Sequence, residues 1–164
     1  MILETLRTYV DFIQDEELVS IIEIYNSNNK FLLCHMDKEK VDMNWLENEI
    51  QEMRQAGFYS CKIVEKETLK IIGLMDFSVD KESYLSLIMI HDEYKNRAYG
   101  KEVYMGLEEY LKRNKVNYIR IDVVNDYDEH VLDFWFKNGF EMVENMKLNW
   151  SGKELSAVKM KKHV

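Results

Sequence analysis

The chain has 164 residues, 46% of them apolar and 32% charged, with a net charge of −8. That length suits a single domain with a real core spanning residues 1–164, and the acidic balance argues against nucleic acid, whose phosphates require a basic face. Cys34 and Cys61 form neither a metal-type pair nor a disulfide framework, no basic-then-apolar leader opens the chain, and no apolar run approaches the roughly 20 residues of a membrane span; a cytoplasmic protein without a membrane partner is expected.

The first segment, Leu3–Phe12, is compatible with either strand or helix. Leu18, Ile21, Ile22 and Tyr25 recur at helical spacing behind Asp15 as a candidate N-cap, and Asn26–Asn29 closes that helix. A second amphipathic helix is expected over Asp42–Ala56, with Leu46, Ile50 and Met53 on one face and Gly57 as its stop. Tyr59, Cys61 and Ile63 then alternate as a strand, Lys66–Lys70 turns, and Ile71–Val79 returns. Tyr84–Ile90 is a strand too apolar on both faces to lie at an edge. A helix follows from about Gly100 to Asn114, a buried strand over Tyr118–Val124, and a short helix over Glu129–Asn138. Gly139-Phe140 leads into an alternating strand to Trp150, and Ser151-Gly152 turns into a last strand, Leu155–Met160. Strands interleaved with helices in this order predict an α/β fold on a mixed antiparallel and parallel sheet with helices on both faces.

The chemistry concentrates in the strand Tyr84–Ile90, the loop after it and the helix that opens at Gly100. A strand feeding a loop of small and basic residues into a helix N-terminus builds an anion site, because first-turn amides lack intrahelical partners and the helix dipole adds positive potential. Ala98 and Gly100 allow close backbone approach, while Lys95, Arg97 and Lys101 supply charge within an acidic chain. His35, His91, His130 and His163 show no metal spacing, and no metal is expected.

Lys95-Asn96-Arg97-Ala98-Tyr99-Gly100, preceded by Tyr94, resembles the (Arg/Gln)-x-x-Gly-x-(Gly/Ala) signature of the GCN5-related N-acetyltransferase (GNAT) superfamily. Further on, Asp128 and the run Val131–Phe140 resemble the family's Asn and its Ala-x-x-Phe-Tyr-x-x-x-Gly-Phe block. The resemblance covers about a third of the chain. It implies splayed parallel strands at Tyr84–Ile90 and Tyr118–Val124 with acetyl-CoA as cosubstrate in the V between them. Ile88, Met89 and Ile90 would pair with the pantetheine arm as an added strand. Amides from Asn96 to Lys101, Tyr99 included, would hold the pyrophosphate. Asp128 and Trp135 would complete the cofactor-binding set.

The departures bear on mechanism. Lys95 stands for Arg or Gln and loses bidentate geometry. Ala98 replaces a Gly, so its φ is expected to be negative. Trp135 occupies the slot of the family's acid Tyr, and an indole can donate a hydrogen bond but not release a proton; Tyr127 and Tyr104 are alternative acids. The family's strand Glu has no counterpart, since Tyr84–Ile90 holds no carboxylate. Tyr84, sharing an alternate face with Ser86, is the candidate catalytic residue, with Asp76 and Asp122 as rivals.

The function so implied is acetyl transfer from acetyl-CoA to a primary amine of a small molecule or peptide, an enzymatic N-acetyltransferase. The −8 charge, with Asp76, Glu82 and Asp122 expected near the cleft, suggests a cationic acceptor. The alternative is a catalytically weak acyl-CoA-binding sensor or interaction module. Exposed C-terminal strands leave room for a homodimer.

Overall fold

The computed structural model describes residues 1–125 and 127–164. Eight strands form one sheet in the order β1-β2-β3-β4-β5-β6-β8-β7. The ambiguous first segment is a pair of strands, β1 (Leu3–Glu4) and β2 (Thr8–Phe12), antiparallel to each other. Helix α1 (Leu18–Ser27) buries Ile21, Ile24 and Tyr25. A helix not expected from the sequence, α2 (Asn29–Met36), follows at once and buries Phe31, Leu32, His35 and Met36. Helix α3 (Met43–Gln55) is capped by Asp42, whose Oδ1 accepts from the Trp45 amide at 2.8 Å, and Gly57 stops it at φ +85°.

Strands β3 (Tyr59–Glu65), β4 (Ile71–Phe77) and β5 (Glu82–Ile90) form an antiparallel meander. Helix α4 (Tyr99–Arg113), strand β6 (Tyr118–Val124) and helix α5 (Glu129–Lys137) follow, then the hairpin β7 (Glu141–Trp150) and β8 (Lys153–His163). The last strand is longer at both ends than its apolar alternation suggested, because charged residues such as Lys161 and Lys162 continue the pairing with β6.

Two apolar clusters pack on the sheet. One joins Val103, Leu107 and Leu111 of α4 to Phe77, Ile119, Ile121 and Trp135; the other joins α1, α2 and α3 to Leu74, Leu87 and Met89. Each fully buried aliphatic contributes about 1.5–3 kcal/mol, so both helical layers are anchored independently.

Two details of β5 position the site. Phe77 pairs with Leu85 and Asp76 with Leu87, which leaves Ser86 as an extra, bulged residue. Leu85 therefore packs in the α4 cluster whereas Leu87 and Met89 pack in the α1–α3 cluster. The regular alternation that would put Tyr84 and Ser86 on one face is broken there. Further, β5 pairs with β6 in parallel only through Glu82–Tyr118, Ser83–Ile119 and Tyr84–Arg120. Beyond Leu85 and Ile121 the two strands part, as the expected V.

Candidate functional site

A cleft of about 510 Å³ occupies the V, walled by residues 85–90 of β5 and 121–124 of β6. The backbone of β5 offers hydrogen bonds to it. Gly73 lies opposite Ile90, and the His91 amide donates to the Ile72 carbonyl, so the Ile90 amide and carbonyl, the carbonyl already accepting one bond from Asn28, face away from β4. By the two-residue period Ile88 does the same, while the buried Met89 side chain turns to the α1–α3 core and only its backbone borders the cleft.

At the head of the V lies the loop between β5 and α4. Among the described residues, the backbone amides of Asn96, Arg97, Ala98, Tyr99, Gly100 and Lys101 donate to no protein acceptor; the first intrahelical bond there is Glu102 to the Ala98 carbonyl at 3.1 Å. Six open amides at a helix N-terminus form a cradle for a phosphate-type anion. Asn96 and Ala98 both adopt the left-handed region, at φ +61° and +62°. The expectation of a negative φ at Ala98 is thus corrected: this turn needs the conformation a Gly supplies freely, and Ala98 adopts it under strain.

The loop is braced from the other end of the chain, a role the sequence did not disclose. Arg7, in the β1–β2 turn, donates to the Arg97 carbonyl at 3.0 Å and to Glu102 Oε2 at 2.7 Å, and lies 4.2 Å over the Tyr99 ring. The Tyr99 hydroxyl donates to Glu65, so Tyr99 serves as an anchor of the loop as well as a wall of the cleft. Lys95 pairs with Asp92 at 3.3 Å, and Lys101 is exposed at the rim.

Of the residues singled out from sequence, Ile88, Met89, Ile90, Lys95, Asn96, Ala98, Tyr99, Gly100, Lys101 and Trp135 border the cleft. Three do not. Arg97 turns its guanidinium over the Tyr94 ring at 5.3 Å. Asp128 caps α5, accepting from the His130 amide at 2.9 Å, and faces Lys30 at 3.8 Å. Tyr84 sits at the closed foot of the V, where it donates to Asp122 Oδ2 at 2.8 Å. Burial and the Asp122 charge push the Tyr84 phenol well above its ordinary range, so it holds its proton. The catalytic role expected of Tyr84 is corrected accordingly.

Its rivals fare no better. Asp122 borders the cleft, but its carboxylate accepts from Tyr84 and twice from Arg120, at 3.1 and 3.0 Å. Asp76 is buried beneath α1 and α3; desolvation pushes it up to about 7, Glu49 adds to this and Arg54 opposes it. Glu82 is bonded to Lys161. No free carboxylate among the described residues draws a cationic acceptor into the cleft, so that expectation loses the acids it rested on.

Trp135 is 6% exposed and packs edge-on to Tyr104 at 5.3 Å and Phe140 at 5.2 Å. It is a core aromatic whose indole also borders the cleft. The Tyr104 hydroxyl is committed to Glu108 at 2.7 Å and that of Tyr99 to Glu65, so of the two alternative acids only Tyr127 borders the cleft, which Tyr94 and Tyr99 also line.

Helix α2 completes the site. At its start Asn28 donates to the Ile90 carbonyl at 3.1 Å; near its end Lys153 of β8 donates to the Cys34 carbonyl at 2.9 Å. The helix is thereby tied to β5 and to the start of β8, and Asn28, Phe31 and His35 border the cleft. Its Phe31 and His35 meet Tyr127 and Trp150 in a four-ring cluster, with centroid separations from 3.8 to 5.9 Å. The sequence hid this wall because its parts lie in α2, in the segment before α5 and at the end of β7.

The profile of the acetyltransferase (GNAT) family matches residues 18–140. The chain belongs to the GNAT acetyltransferase family. Among curated proteins none matches by sequence. Solved structures with the same GNAT fold include an acetyltransferase from Thermus thermophilus, at TM-score 0.80 and 12% identity, covering 98% of this chain and 99% of that one. A putative ribosomal-protein-serine acetyltransferase from Vibrio cholerae aligns at TM-score 0.79 and 16% identity, over 98% and 96% of the two chains. The PaiA N-acetyltransferase of Thermoplasma acidophilum, solved with coenzyme A, aligns at 0.69 and 16% identity, over 97% and 100%. Among the described residues no helix of this GNAT chain is long and apolar enough to cross a membrane.

Proposed function

We propose that this protein transfers the acetyl group of acetyl-CoA to a primary amine on a small molecule or peptide. The observation that carries the reading is the set of six open amides, Asn96 to Lys101, at the head of a cleft bordered by the stretch of β5 that no longer pairs with β6. The amides suit the pyrophosphate, and Ile88 and Ile90 suit the pantetheine amides as a surrogate strand. Donors from that backbone also suit the oxyanion that develops when an amine attacks the thioester. Similarity to both a PaiA N-acetyltransferase and a ribosomal-protein-serine acetyltransferase supports acceptors of either size.

The four-ring wall favours an amine carried on an apolar or aromatic group over a polyamine, since rings bury apolar surface while Asp122, the lining carboxylate, is already paired with Tyr84 and Arg120. Coenzyme A release, measured with an amine panel that spans aralkylamines, polyamines and peptide N-termini, tests this. Turnover is expected with aralkylamines or peptides bearing apolar N-termini; acetyl-CoA binding without turnover on any amine would leave a cofactor-binding module instead.

A further inference from the structure

The GNAT chemistry proposed above needs a proton acceptor for the attacking amine, and the carboxylates and Tyr84 are committed elsewhere. His35 is different. Its Nδ1 lies 2.9 Å from the Phe31 carbonyl, four residues earlier on the same helix. A carbonyl can only accept, so Nδ1 carries the hydrogen and the neutral ring keeps its lone pair on Nε2. Nε2 has no hydrogen-bond partner among the described residues, yet it is not one of the buried polar atoms sealed without a partner. His35 borders the cleft, and the rest of its ring is clamped by Phe31 stacked at 3.8 Å and by the edges of Tyr127 and Trp150. The tautomer and the ring orientation are thus fixed by the protein, with one nitrogen left open.

We propose that His35 is the general base of acetyl transfer, an inference that rests on the acetyltransferase reading. The amine nitrogen forms its bond to the acetyl carbonyl carbon, and Nε2 takes the proton the nitrogen sheds. The carbon–sulfur bond breaks, and the coenzyme A thiolate takes that proton back from the imidazolium, which restores neutral His35. The ionisable groups around the ring are Tyr127, Cys34 on the same helix, and Lys153 of β8, itself bonded to Asp37 at 2.6 Å. Burial holds His35 below its ordinary value, the Phe31 carbonyl opposes this and the Lys153 charge adds to it, so the ring is unprotonated at neutral pH. His130 also borders the cleft, but it is exposed on the rim and no protein hydrogen bond fixes its ring among the described residues.

The test compares wild type with His35→Phe, which keeps a ring against Phe31, and His35→Gln, which keeps a donor for the Phe31 carbonyl. At pH 7 both variants should lose about a hundredfold in kcat, with KM for acetyl-CoA unchanged. Both should regain rate as pH rises, because bulk deprotonation of the amine replaces the missing base. Nitrogen NMR of the wild-type imidazole should show Nε2 without a hydrogen at pH 7. A folded variant within about threefold of wild type, or a loss equal at every pH, would overturn the assignment. So would an Nε2-bound hydrogen, or a loss that follows His130→Gln instead. A wild type that acetylates no amine overturns acetyl transfer itself, whereas an active wild type with equally active variants overturns only the base.

Discussion

The two ends of the cleft are built in opposite ways. The end proposed for phosphate is one contiguous stretch, Asn96 to Lys101, in which backbone amides offer the donors and side chains mainly allow or brace the turn. The end proposed for the acceptor is assembled from α2, the segment before α5 and the end of β7, and it presents side chains, Phe31, His35, Tyr127 and Trp150. A binding function carried by local backbone conformation leaves a readable trace in sequence. One carried by rings from three separate elements leaves none until the chain is folded.

Four experiments press on that contrast. The largest effect is expected at Trp135, a core aromatic that also borders the cleft. Trp135→Ala removes a ring packed on Tyr104 and Phe140 and should cost about 3–5 kcal/mol in denaturant unfolding, with cofactor affinity falling as well. Trp135→Phe should keep most of kcat; a hundredfold loss at unchanged KM, about 2.7 kcal/mol, would instead place the indole N–H at the leaving thiolate.

Next comes Gly100→Val. A Cβ there meets only the Ile90 side chain, at 4.0 Å, so the fold should survive while the phosphate approach is filled. Calorimetry should show acetyl-CoA affinity down about a hundredfold or more, some 2.7 kcal/mol; wild-type affinity would move the anion site elsewhere.

Away from the cleft lining, Asp76 is buried with its carboxyl raised to about 7 from 3.8. The folded state therefore holds a proton that the unfolded chain has lost between those values, and stability falls as pH climbs through that window. Asp76→Asn should stabilise by on the order of 2 kcal/mol at pH 8 and by little at pH 4. A gain independent of pH would mean the carboxyl is ionised in both states.

The smallest effect is expected at the phosphate end again. Ala98 at φ +62° is strained where Gly is not, so Ala98→Gly should raise stability by about 1 kcal/mol, or about 2–4 °C in Tm. A lower Tm would show that the methyl's contacts outweigh the turn.

Legibility followed the same division. The strands and helices from Tyr59 onward were readable because alternation, helical period and Gly stops agree there. Helix α2 was not: Asn26–Asn29 reads as a terminator, and Asn28 in fact closes one helix and opens the next while its side chain bonds the Ile24 and Ile90 carbonyls. The loop of open amides before α4 was legible, but its brace was not, since Arg7 and Glu102 lie 95 residues apart. Tyr84 was misplaced because a bulge at Ser86 shifts the faces of β5 while leaving its buried and half-buried pattern regular. Both faces of that strand are covered, so periodicity carries no mark of the slip.

The seam between β5 and β6 has a thermodynamic consequence. Three residue pairs, Glu82–Tyr118 to Tyr84–Arg120, join a five-stranded half, β1 to β5, to a three-stranded half, β6 to β8. A ligand lying along the open remainder of that seam touches both halves and is lost when either half separates. It acts as a removable suture: at a hundred times its Kd it adds about 2.7 kcal/mol against any opening that parts the halves. Amide exchange in β6 and β8 would register that tightening even though the ligand's anchoring amides belong to the other half.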